Sequence, residues 1–431
     1  MEIGRMIGTA SMKASLRRKF ATLSNAEYRK YFFAQLVSLI GTTMQMIALG
    51  LLALKLTGSG TDVGLNLTFQ FLPMIILGPF IGPWIDRSSD HLKLLVRTQV
   101  IAAALAFTMS VLALTGHVSI GVVHLFALSN GINNVFDNPL RRTLNRKILG
   151  RDRGLLANAA ALESMQLGLA RTFGSLIGSA LVFWIGFAPC FFLNAVSFLS
   201  VIFVVGRLNV AEVEDEVDRR RENLLSVLAC INSLPSLRSV LLITAIVGTL
   251  TFEFNVFLML FAKAVLNDTR CYGYLFSALS VGSIIGSLWR ADKSHHAAIK
   301  YIARSALCLG LALLMLAFSS NLVLAIGCAA AAGFFSGGFG SMGRSCVQHE
   351  SPSSIQVSVM ILWNIGFMGS TAVGAPIIGF IGQHAGARWA VTVSAVTAIV
   401  CGLVWGEFFS RNGSEGESNL VESADLETAQ V

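Results

Sequence analysis

The apolar positions of this chain fall into long, nearly unbroken blocks, and the polar positions lie mostly in short segments between them. A helix rises about 1.5 Å per residue, so roughly 20 apolar residues are enough to cross the hydrocarbon core of a bilayer. The blocks reach that length, and the pattern therefore predicts twelve transmembrane helices. The predicted spans are 31–54, 63–84, 94–115, 118–138, 157–182, 187–208, 237–262, 271–290, 300–318, 321–342, 357–382 and 388–409.

The spans form two sets of six, at 31–208 and 237–409, and the second set repeats small landmarks of the first about 200 residues later. Gly186, for example, is matched by Gly386. A doubled set of membrane helices is typical of transporters whose two halves move against each other. The sequence therefore predicts an all-α integral membrane fold built from two pseudo-symmetric six-helix bundles.

Three polar segments flank these bundles. Residues 1–30 are basic and contain no apolar stretch that ends in a cleavage site, so we expect a cytoplasmic lead-in. Residues 209–236 form a cytoplasmic linker, in which a charge run precedes an amphipathic stretch, 223–234, that is expected to lie along the membrane surface. Residues 410–431 are acidic and rich in serine, and we expect a disordered tail.

Composition and charge placement exclude a soluble protein. The chain is 54% hydrophobic and 13% charged, whereas soluble domains carry about 25% charged residues. Of the 32 Lys and Arg residues, 27 fall in the predicted loops or at the span ends of one side, and 4 in those of the other. This bias predicts that both termini are cytoplasmic in a multi-pass protein of the inner (plasma) membrane. A net charge of +8 spread over loops does not favour nucleic-acid binding.

The segment that follows the second span reads Gly82-Pro-Trp-Ile-Asp86-Arg87. It resembles the cytoplasmic loop signature of the major facilitator superfamily, although Asp90 stands where that signature is usually basic. Four other stretches resemble the drug-efflux branch that includes enterobactin exporters: Asn138-Pro139-Leu-Arg141, Ala170-Arg171-Thr-Phe-Gly174, Phe191-Phe-Leu-Asn194-Ala-Val-Ser-Phe198 and Phe252-Glu253-Phe-Asn255. The resemblance covers residues 25–410 and implies the fold of that superfamily, secondary transport and a gating role for Gly82, Asp86 and Arg87.

The gating role has a physical basis. A carboxylate such as Asp86 facing the N-terminus of a helix near 354–357 would be stabilised by about 0.3–1 kcal/mol. A contact of this kind would hold one conformation and release in another. The alternative is that Asp86 and Arg87 are solvated loop charges.

Three charged residues, Glu163, Arg171 and Glu253, lie inside predicted spans and away from the span ends. A charge near the bilayer centre costs about 2.5–3.5 kcal/mol on insertion scales, so each needs a partner or a wet cavity. The two acids are candidates for proton binding, with Arg171 as a partner. The alternative is that Arg171 pairs with one of them and holds the bundle together. The family resemblance implies that Arg171 and Glu253 are expected residues, but it does not assign their roles.

Small residues in spans five and eleven mark close helix packing. Gly174 and Gly178 occupy the place of the antiporter signature in span five, without its proline, and span eleven carries Gly374, Pro376 and Gly379. Small residues spaced three or four apart let two backbones approach closely. We expect these helices to seal a cavity on its outer side.

Polar and aromatic residues within spans are candidates to line a substrate cavity, because ligand pockets combine apolar walls with a few polar groups. For any one of them, the alternative is packing within the bundle or against lipid. The candidates are Asn66, Gln70, Asn134, Gln166, Phe252, Asn255, Trp363 and Asn364.

The sequence shows no clustered catalytic, metal-binding or nucleotide-binding motif, which argues against an enzyme and an ATP-driven pump and predicts no cofactor. The leading hypothesis is a monomeric efflux carrier for hydrophobic or amphipathic small molecules, which gives multidrug resistance by proton antiport with alternating access. Its partners would be the small-molecule substrate, protons and the lipid bilayer. The alternatives are a siderophore exporter of the same fold and a non-transporting membrane sensor or scaffold.

Overall fold

The computed structural model describes residues 21–86, 90–150, 152–208, 224–289, 298–352 and 355–406, and no strand occurs within them. A 3₁₀ turn at Ala21–Ser24 leads into the first six helices. These are α1 (Ala26–Thr57), α2 (Gly60–Asp86), α3 (His91–Thr115), α4 (Ile120–Leu149), α5 (Arg153–Trp184) and α6 (Ala188–Val205).

The second half of the chain is also helical. It contains α7 (Leu224–Ser233), α8 (Pro235–Leu250), α9 (Phe254–Ala264), α10 (Cys271–Trp289), α11 (Ala298–Phe318), α12 (Leu322–Glu350), α13 (Gln356–Asn364), α14 (Thr371–His384) and α15 (Ala387–Gly406). A short π-helix, Ile365–Gly369, joins α13 to α14. The prediction of an all-α membrane fold is confirmed, since eleven of the described helical stretches are long and apolar enough to cross a membrane.

Local capping explains where several helices begin and end. The Asn25 side chain accepts hydrogen bonds from the backbone N–H groups of Glu27 and Tyr28, at 3.0 and 3.1 Å, and so starts α1. Gly58 ends the same helix in the left-handed region, with φ +70°, and its N–H donates to the Leu54 carbonyl. Such side-chain caps and C-terminal glycines satisfy backbone groups that have no partner inside the helix.

The chain divides into two compact units. The first contains residues 1–58 and 69–219, and the second contains residues 59–68 and 220–431. This division differs from the predicted one, which placed all of 31–208 in one bundle. The difference arises at the start of α2, where a Cβ on Gly64 would lie 2.3 Å from the carbonyl oxygen of Ala375.

In the N-terminal unit, α1 packs against α5 and α6, and α3 packs against α4 and α6. The helix α4 is longer than span four of the prediction, 118–138, because the chain stays helical to Leu149. Arg141–Lys147, which the sequence placed in a loop, therefore lies on the last turns of a helix.

In the C-terminal unit, α12 packs against α10 and α11, and α8 packs against the π-helix and α14. The helix α7 of the linker turns Val227 and Ile231 into this core, where they are 1% and 7% exposed. The prediction that 223–234 lies along the membrane surface is untested. The charge run before α7 and the acidic tail lie outside the described residues.

Span seven, predicted at 237–262, occurs as the membrane-length stretch Pro235–Ala264, but it is not one continuous helix. The chain breaks at Thr251–Glu253, between α8 and α9. Span eleven also departs from a single α-helix, because it contains the π-helix. Both irregular segments lie in the C-terminal unit, and α8, which ends at the break, packs against the π-helix.

Candidate functional site

The break in span seven is built by a shift in backbone hydrogen bonding. The N–H groups of Thr251 and Phe252 both donate to the Val247 carbonyl, at 2.8 and 3.2 Å. The helix resumes when the Glu253 carbonyl accepts from Val256, at 3.0 Å. Backbone groups near the break therefore lack their usual partners within the helix, and another element must satisfy them.

Helix α15 supplies one of the missing hydrogen-bond partners. The Ser394 hydroxyl donates to the Leu250 carbonyl at 2.7 Å, and the Thr251 hydroxyl donates to the Ser394 carbonyl at 3.0 Å. Ser394 and Thr251 are both fully buried. These reciprocal bonds stabilise the break as a defined feature of the fold.

Glu253 projects from this break into the core and is only 1% exposed. Its Oε1 has no hydrogen-bond partner among the described residues. A Cβ on Gly374 would lie 1.5 Å from the Thr249 carbonyl oxygen and 3.0 Å from Glu253 Oε1. Only glycine at this position lets α14 come so close to the acid.

Aromatic rings pack beside the acid. Phe252 lies 5.0 Å from Phe367 and 5.6 Å from Phe339, between ring centroids, and Trp363 stacks on Phe367 at 4.8 Å. Trp363 is 5% exposed, and its Nε1 has no hydrogen-bond partner among the described residues. The structure therefore places two predicted cavity residues, Phe252 and Trp363, in the packed core of the C-terminal unit.

The other predicted cavity residues are distributed over both units. Asn255 accepts a hydrogen bond from the Tyr272 hydroxyl at 3.0 Å, and Asn364 donates to the carbonyl one turn earlier in its own helix. Asn66 and Gln70, one turn apart on α2, each have a side-chain oxygen without a partner among the described residues. In the N-terminal unit the remaining two are Gln166, which donates to the Phe32 carbonyl at 2.6 Å, and Asn134, which is half-buried.

Two of the predicted intramembrane charges, Glu163 and Arg171, belong to the N-terminal unit, whereas Glu253 belongs to the C-terminal unit. Glu163 accepts a hydrogen bond from Asn145. Arg171 is exposed, and no ion pair joins it to a described acid. The alternative in which Arg171 pairs with Glu253 or Glu163 and holds the bundle together stays a prediction.

One buried charge pair was missed by sequence reasoning. Asp137 accepts from Arg141 one turn later on α4, and it also accepts from Thr98 and Gln99 on α3. The side chains of Asp137 and Arg141 are 7% and 15% exposed. Their i, i+4 spacing on either side of Pro139 was the available signal, because residues four apart share a helix face.

The predicted gating residues lie at the end of α2 or beyond it. Gly82 and Asp86 belong to the last turns of α2, and Arg87 lies outside the described residues. Asp90, which departs from the family signature, caps α3 by accepting from the Lys93 backbone N–H. Its carboxyl also pairs with Lys93 Nζ at 2.5 Å. The hydrogen bond from the Lys93 side chain, and after it the one from the Lys93 backbone N–H, hold the pKa of the Asp90 carboxyl below its usual range.

The small residues named for helix packing face other backbones. A Cβ on Gly174 would lie 2.8 Å from the Ile40 carbonyl oxygen, and one on Gly178 would lie 3.0 Å from the Met44 Cα. A Cβ on Gly379 would lie 2.2 Å from the Gly60 carbonyl oxygen, and a Cβ on Gly64 would lie 2.6 Å from the Cα of Pro376. These residues therefore lie at close helix contacts within their own units.

The arrangement around Glu253 is suited to binding a single small cation or proton. Buried charge is costly unless it is paired and hydrogen-bonded, and Oε1 of this carboxyl has no hydrogen-bond partner among the described residues. No group of three or more His, Cys, Asp or Glu able to hold a metal ion occurs in the described part of the chain.

Comparisons with known proteins agree with this architecture. No match to the sequence was found among curated proteins. Among solved structures, the nucleoside transporter NupG matches with a TM-score of 0.70 at 12% identity, over 89% of this chain and 99% of that chain. A bacterial homologue of the human lysosomal transporter Spinster matches with a TM-score of 0.70 at 12% identity, over 90% and 96% of the two chains.

A third solved structure, a bacterial homologue of the iron transporter ferroportin in an inward-facing state, matches with a TM-score of 0.68 at 14% identity. It covers 88% of this chain and 98% of that chain. The family model described as a transmembrane secretion effector of the major facilitator superfamily matches residues 17–429. The chain therefore belongs to the transmembrane secretion effector family, a branch of the major facilitator superfamily of multi-pass secondary transporters.

Proposed function

We propose that this transporter exports hydrophobic or amphipathic small molecules by proton antiport with alternating access, and that Glu253 is its coupling acid. The observation that carries the proposal is the burial of Glu253 at a helix break, with an Oε1 that has no hydrogen-bond partner and with no ion pair among the described residues. An ionised carboxylate needs a cation or several donors when it leaves water. A proton on this carboxyl removes that need, so proton binding and release is the chemistry that fits the site.

The position of the acid in the fold adds support. Ionisable residues inside membrane spans are costly and are functional candidates by default. Irregular backbone at membrane depth is tolerated where it is covered by protein or lines a cavity, and transporters use broken helices to build their sites. Thr251–Glu253 combines both features, since the break and the acid coincide.

The aromatic residues beside Glu253 support a hydrophobic substrate. Phe252, Phe339, Phe367 and Trp363 form a continuous set of ring contacts, and apolar and aromatic walls are typical of small-molecule sites. The resemblance to the drug-efflux branch favours the same substrate class. Export of a siderophore by the same route is an alternative that differs only in substrate.

The close packing of these rings also favours one competing proposal. Trp363 is 5% exposed, and a sensor or scaffold would fill its core with apolar side chains in this way. The two proposals separate on transport itself, because a scaffold moves no substrate whatever gradient is applied.

The test uses inverted membrane vesicles from cells that overproduce the chain. Ethidium, a Hoechst dye and enterobactin are offered as probes, and uptake is measured with the vesicle interior made acidic. We expect the wild type to accumulate at least one probe until an ionophore collapses the proton gradient, and Glu253→Gln to lose that accumulation. Glu27→Gln, at an exposed acid paired with Lys30, is the matched control and should behave as wild type.

Two results would count against the proposal. Unchanged gradient-driven uptake by Glu253→Gln would show that another group couples transport. Absence of uptake for every probe, with the protein present in the membrane, would favour the scaffold.

A further inference from the structure

Two buried polar side chains of the C-terminal unit approach the same glycine. Thr244 of α8 is 1% exposed and Trp363 of α13 is 5% exposed, and neither the Thr244 hydroxyl nor the Trp363 Nε1 has a hydrogen-bond partner among the described residues. A Cβ on Gly343 of α12 would lie 3.5 Å from Trp363 Nε1 and 3.9 Å from the Thr244 hydroxyl oxygen. We propose that these three residues form a binding site for one neutral oxygen atom, called the oxygen site below.

The chemistry of the two polar groups defines the ligand. The indole N–H of Trp363 only donates a hydrogen bond, whereas the hydroxyl of Thr244 donates or accepts one. Buried polar groups are nearly always hydrogen-bonded, because a group left without a partner has lost its contact with water and gained nothing in return. A ligand that satisfies both groups must present an acceptor to the indole. Because neither group is charged, the acceptor that fits is a neutral oxygen and not an anion.

The hydroxyl of Thr244 is not used by its own helix. A threonine inside a helix commonly donates to the carbonyl one turn earlier. Thr249, on the same helix, does so to the Ala245 carbonyl at 2.7 Å, whereas Thr244 makes no such bond. Its hydroxyl is therefore available to a ligand beside Gly343.

Gly343 differs from the glycines of α12 that lie against another backbone. A Cβ on Gly333 would lie 1.9 Å from the Leu279 carbonyl oxygen, and one on Gly337 would lie 2.1 Å from the Ser283 carbonyl oxygen. Outside the neighbouring backbone of α12, a Cβ on Gly343 would meet only the two polar atoms within 4 Å among the described residues. A bound oxygen needs both room and two or more polar partners, and this position offers both.

Ring stacking fixes the orientation of the Trp363 indole. Its ring lies 4.8 Å from that of Phe367, with 11° between the two planes. The Phe367 ring in turn packs on Gly340, where a Cβ would lie 3.0 Å from Phe367 Cζ. Gly340 and Gly343 share a face of α12 because they are three residues apart. The stack therefore holds the indole N–H beside Gly343, and a donor that is already ordered loses little entropy when it binds a ligand.

A neutral oxygen has two sources. One is a water molecule, which would bridge the indole N–H and the hydroxyl, and this source requires nothing of transport. The other is a carbonyl or hydroxyl oxygen of the transported compound, and this source rests on the function proposed above. Ring contacts lead from Trp363 through Phe367 to Phe252, which adjoins Glu253. The oxygen site would then favour substrates that carry oxygen.

The experiment measures the hydrogen bond of the Trp363 indole. Ultraviolet resonance Raman spectra of the purified protein in lipid contain a tryptophan band that reports hydrogen bonding of the indole N–H, and subtraction of the Trp363→Phe spectrum isolates the signal of Trp363. Spectra are recorded without a probe, with enterobactin, which carries carbonyl and hydroxyl oxygens, and with ethidium, which carries none. We expect a hydrogen-bonded indole without a probe if water is the ligand. If the compound is the ligand, we expect the bond with enterobactin alone.

Variants test whether a bridging oxygen makes this bond. Gly343→Ala places a methyl group 3.5 Å from Trp363 Nε1, at an ordinary contact distance, and leaves Thr244 in place. We expect this variant to lose the hydrogen-bonded signal, and Thr244→Val, which removes the hydroxyl at nearly constant volume, to weaken it. Gly327→Ala, where an added Cβ meets nothing within 4 Å, is the matched control and should give the wild-type spectrum.

Two results overturn the oxygen site. A hydrogen-bonded signal that persists in Gly343→Ala shows that a protein group is the partner of the indole. An indole that is not hydrogen-bonded under any of the three conditions shows that no oxygen binds. Neither result depends on proton coupling, and a hydrogen-bonded indole without a probe supports the site even if the chain transports nothing.

A second measurement applies if Gly343→Ala does not reach the membrane. The infrared difference between the wild type and Thr244→Val is recorded in ordinary water and in oxygen-18 water. A water molecule in the oxygen site gives an O–H band that shifts with the isotope. A band that does not shift belongs to a direct bond between the hydroxyl and the indole, and overturns the site in the protein without a probe.

Discussion

The contact between α10 and α12 gives the sharpest prediction about the fold. Two glycines of each helix lie against carbonyl groups of the other: Gly282 and Gly286 on α10, and Gly333 and Gly337 on α12. A Cβ on Gly286 would lie 1.8 Å from the Phe334 carbonyl oxygen, and one on Gly333 would lie 1.9 Å from the Leu279 carbonyl oxygen. The two backbones are in direct contact, as small residues at i, i+4 allow.

The expected cost of Gly286→Ala follows from that distance. An ordinary van der Waals contact begins near 3.4 Å, whereas the added Cβ would lie 1.8 Å from the carbonyl oxygen. The two helices would therefore have to separate by about 1.6 Å at this point. Overpacking of this kind costs about 1–3 kcal/mol. Alanine gains about 0.5–1 kcal/mol over glycine in a helix, which offsets only part of it.

The matched control is Gly327→Ala, on the exposed side of α12, where an added Cβ meets nothing within 4 Å. Thermal unfolding of the purified variants in one detergent should give a lower apparent Tm for Gly286→Ala and an equal or higher one for Gly327→Ala. If both variants unfold at the same temperature as the wild type, the close approach of α10 and α12 is wrong.

Two further predictions concern charged residues. Arg141→Leu leaves the buried Asp137 without its cation and should destabilise the protein by about 3–5 kcal/mol, whereas Arg142→Leu, at an exposed neighbour, should change the apparent Tm little. The pKa of Asp90 is lowered by Lys93, so its stabilising contribution is present above the ordinary carboxyl range and lost as the pH falls through the lowered value. Asp90→Asn should remove that acid-dependent step from a plot of Tm against pH, and an unchanged plot would show that the cap does not contribute.

Most of the helices could be predicted from the sequence, because a membrane helix is a long run of apolar residues. The end of α4 was not predicted correctly, since the charged residues of Arg141–Lys147 were assigned to a loop. Those charges continue a helix whose buried face begins with Asp137 and Arg141. Counting residues four apart on that face would have identified the pair.

The candidate site could be predicted from the sequence only in part. Glu253 stood out because an acid in an apolar span is costly. The helix break around it did not, because Thr251-Phe-Glu253 contains neither proline nor glycine and is stabilised by Ser394 from α15.

The most direct test of the central claim compares two reactions of Glu253→Gln in proteoliposomes. One is exchange of labelled for unlabelled probe without a gradient, and the other is accumulation of the same probe driven by a pH gradient. If Glu253 couples proton flow to export, the variant should retain exchange and lose gradient-driven accumulation, while the wild type performs both. Accumulation by the variant at the wild-type level would contradict the account.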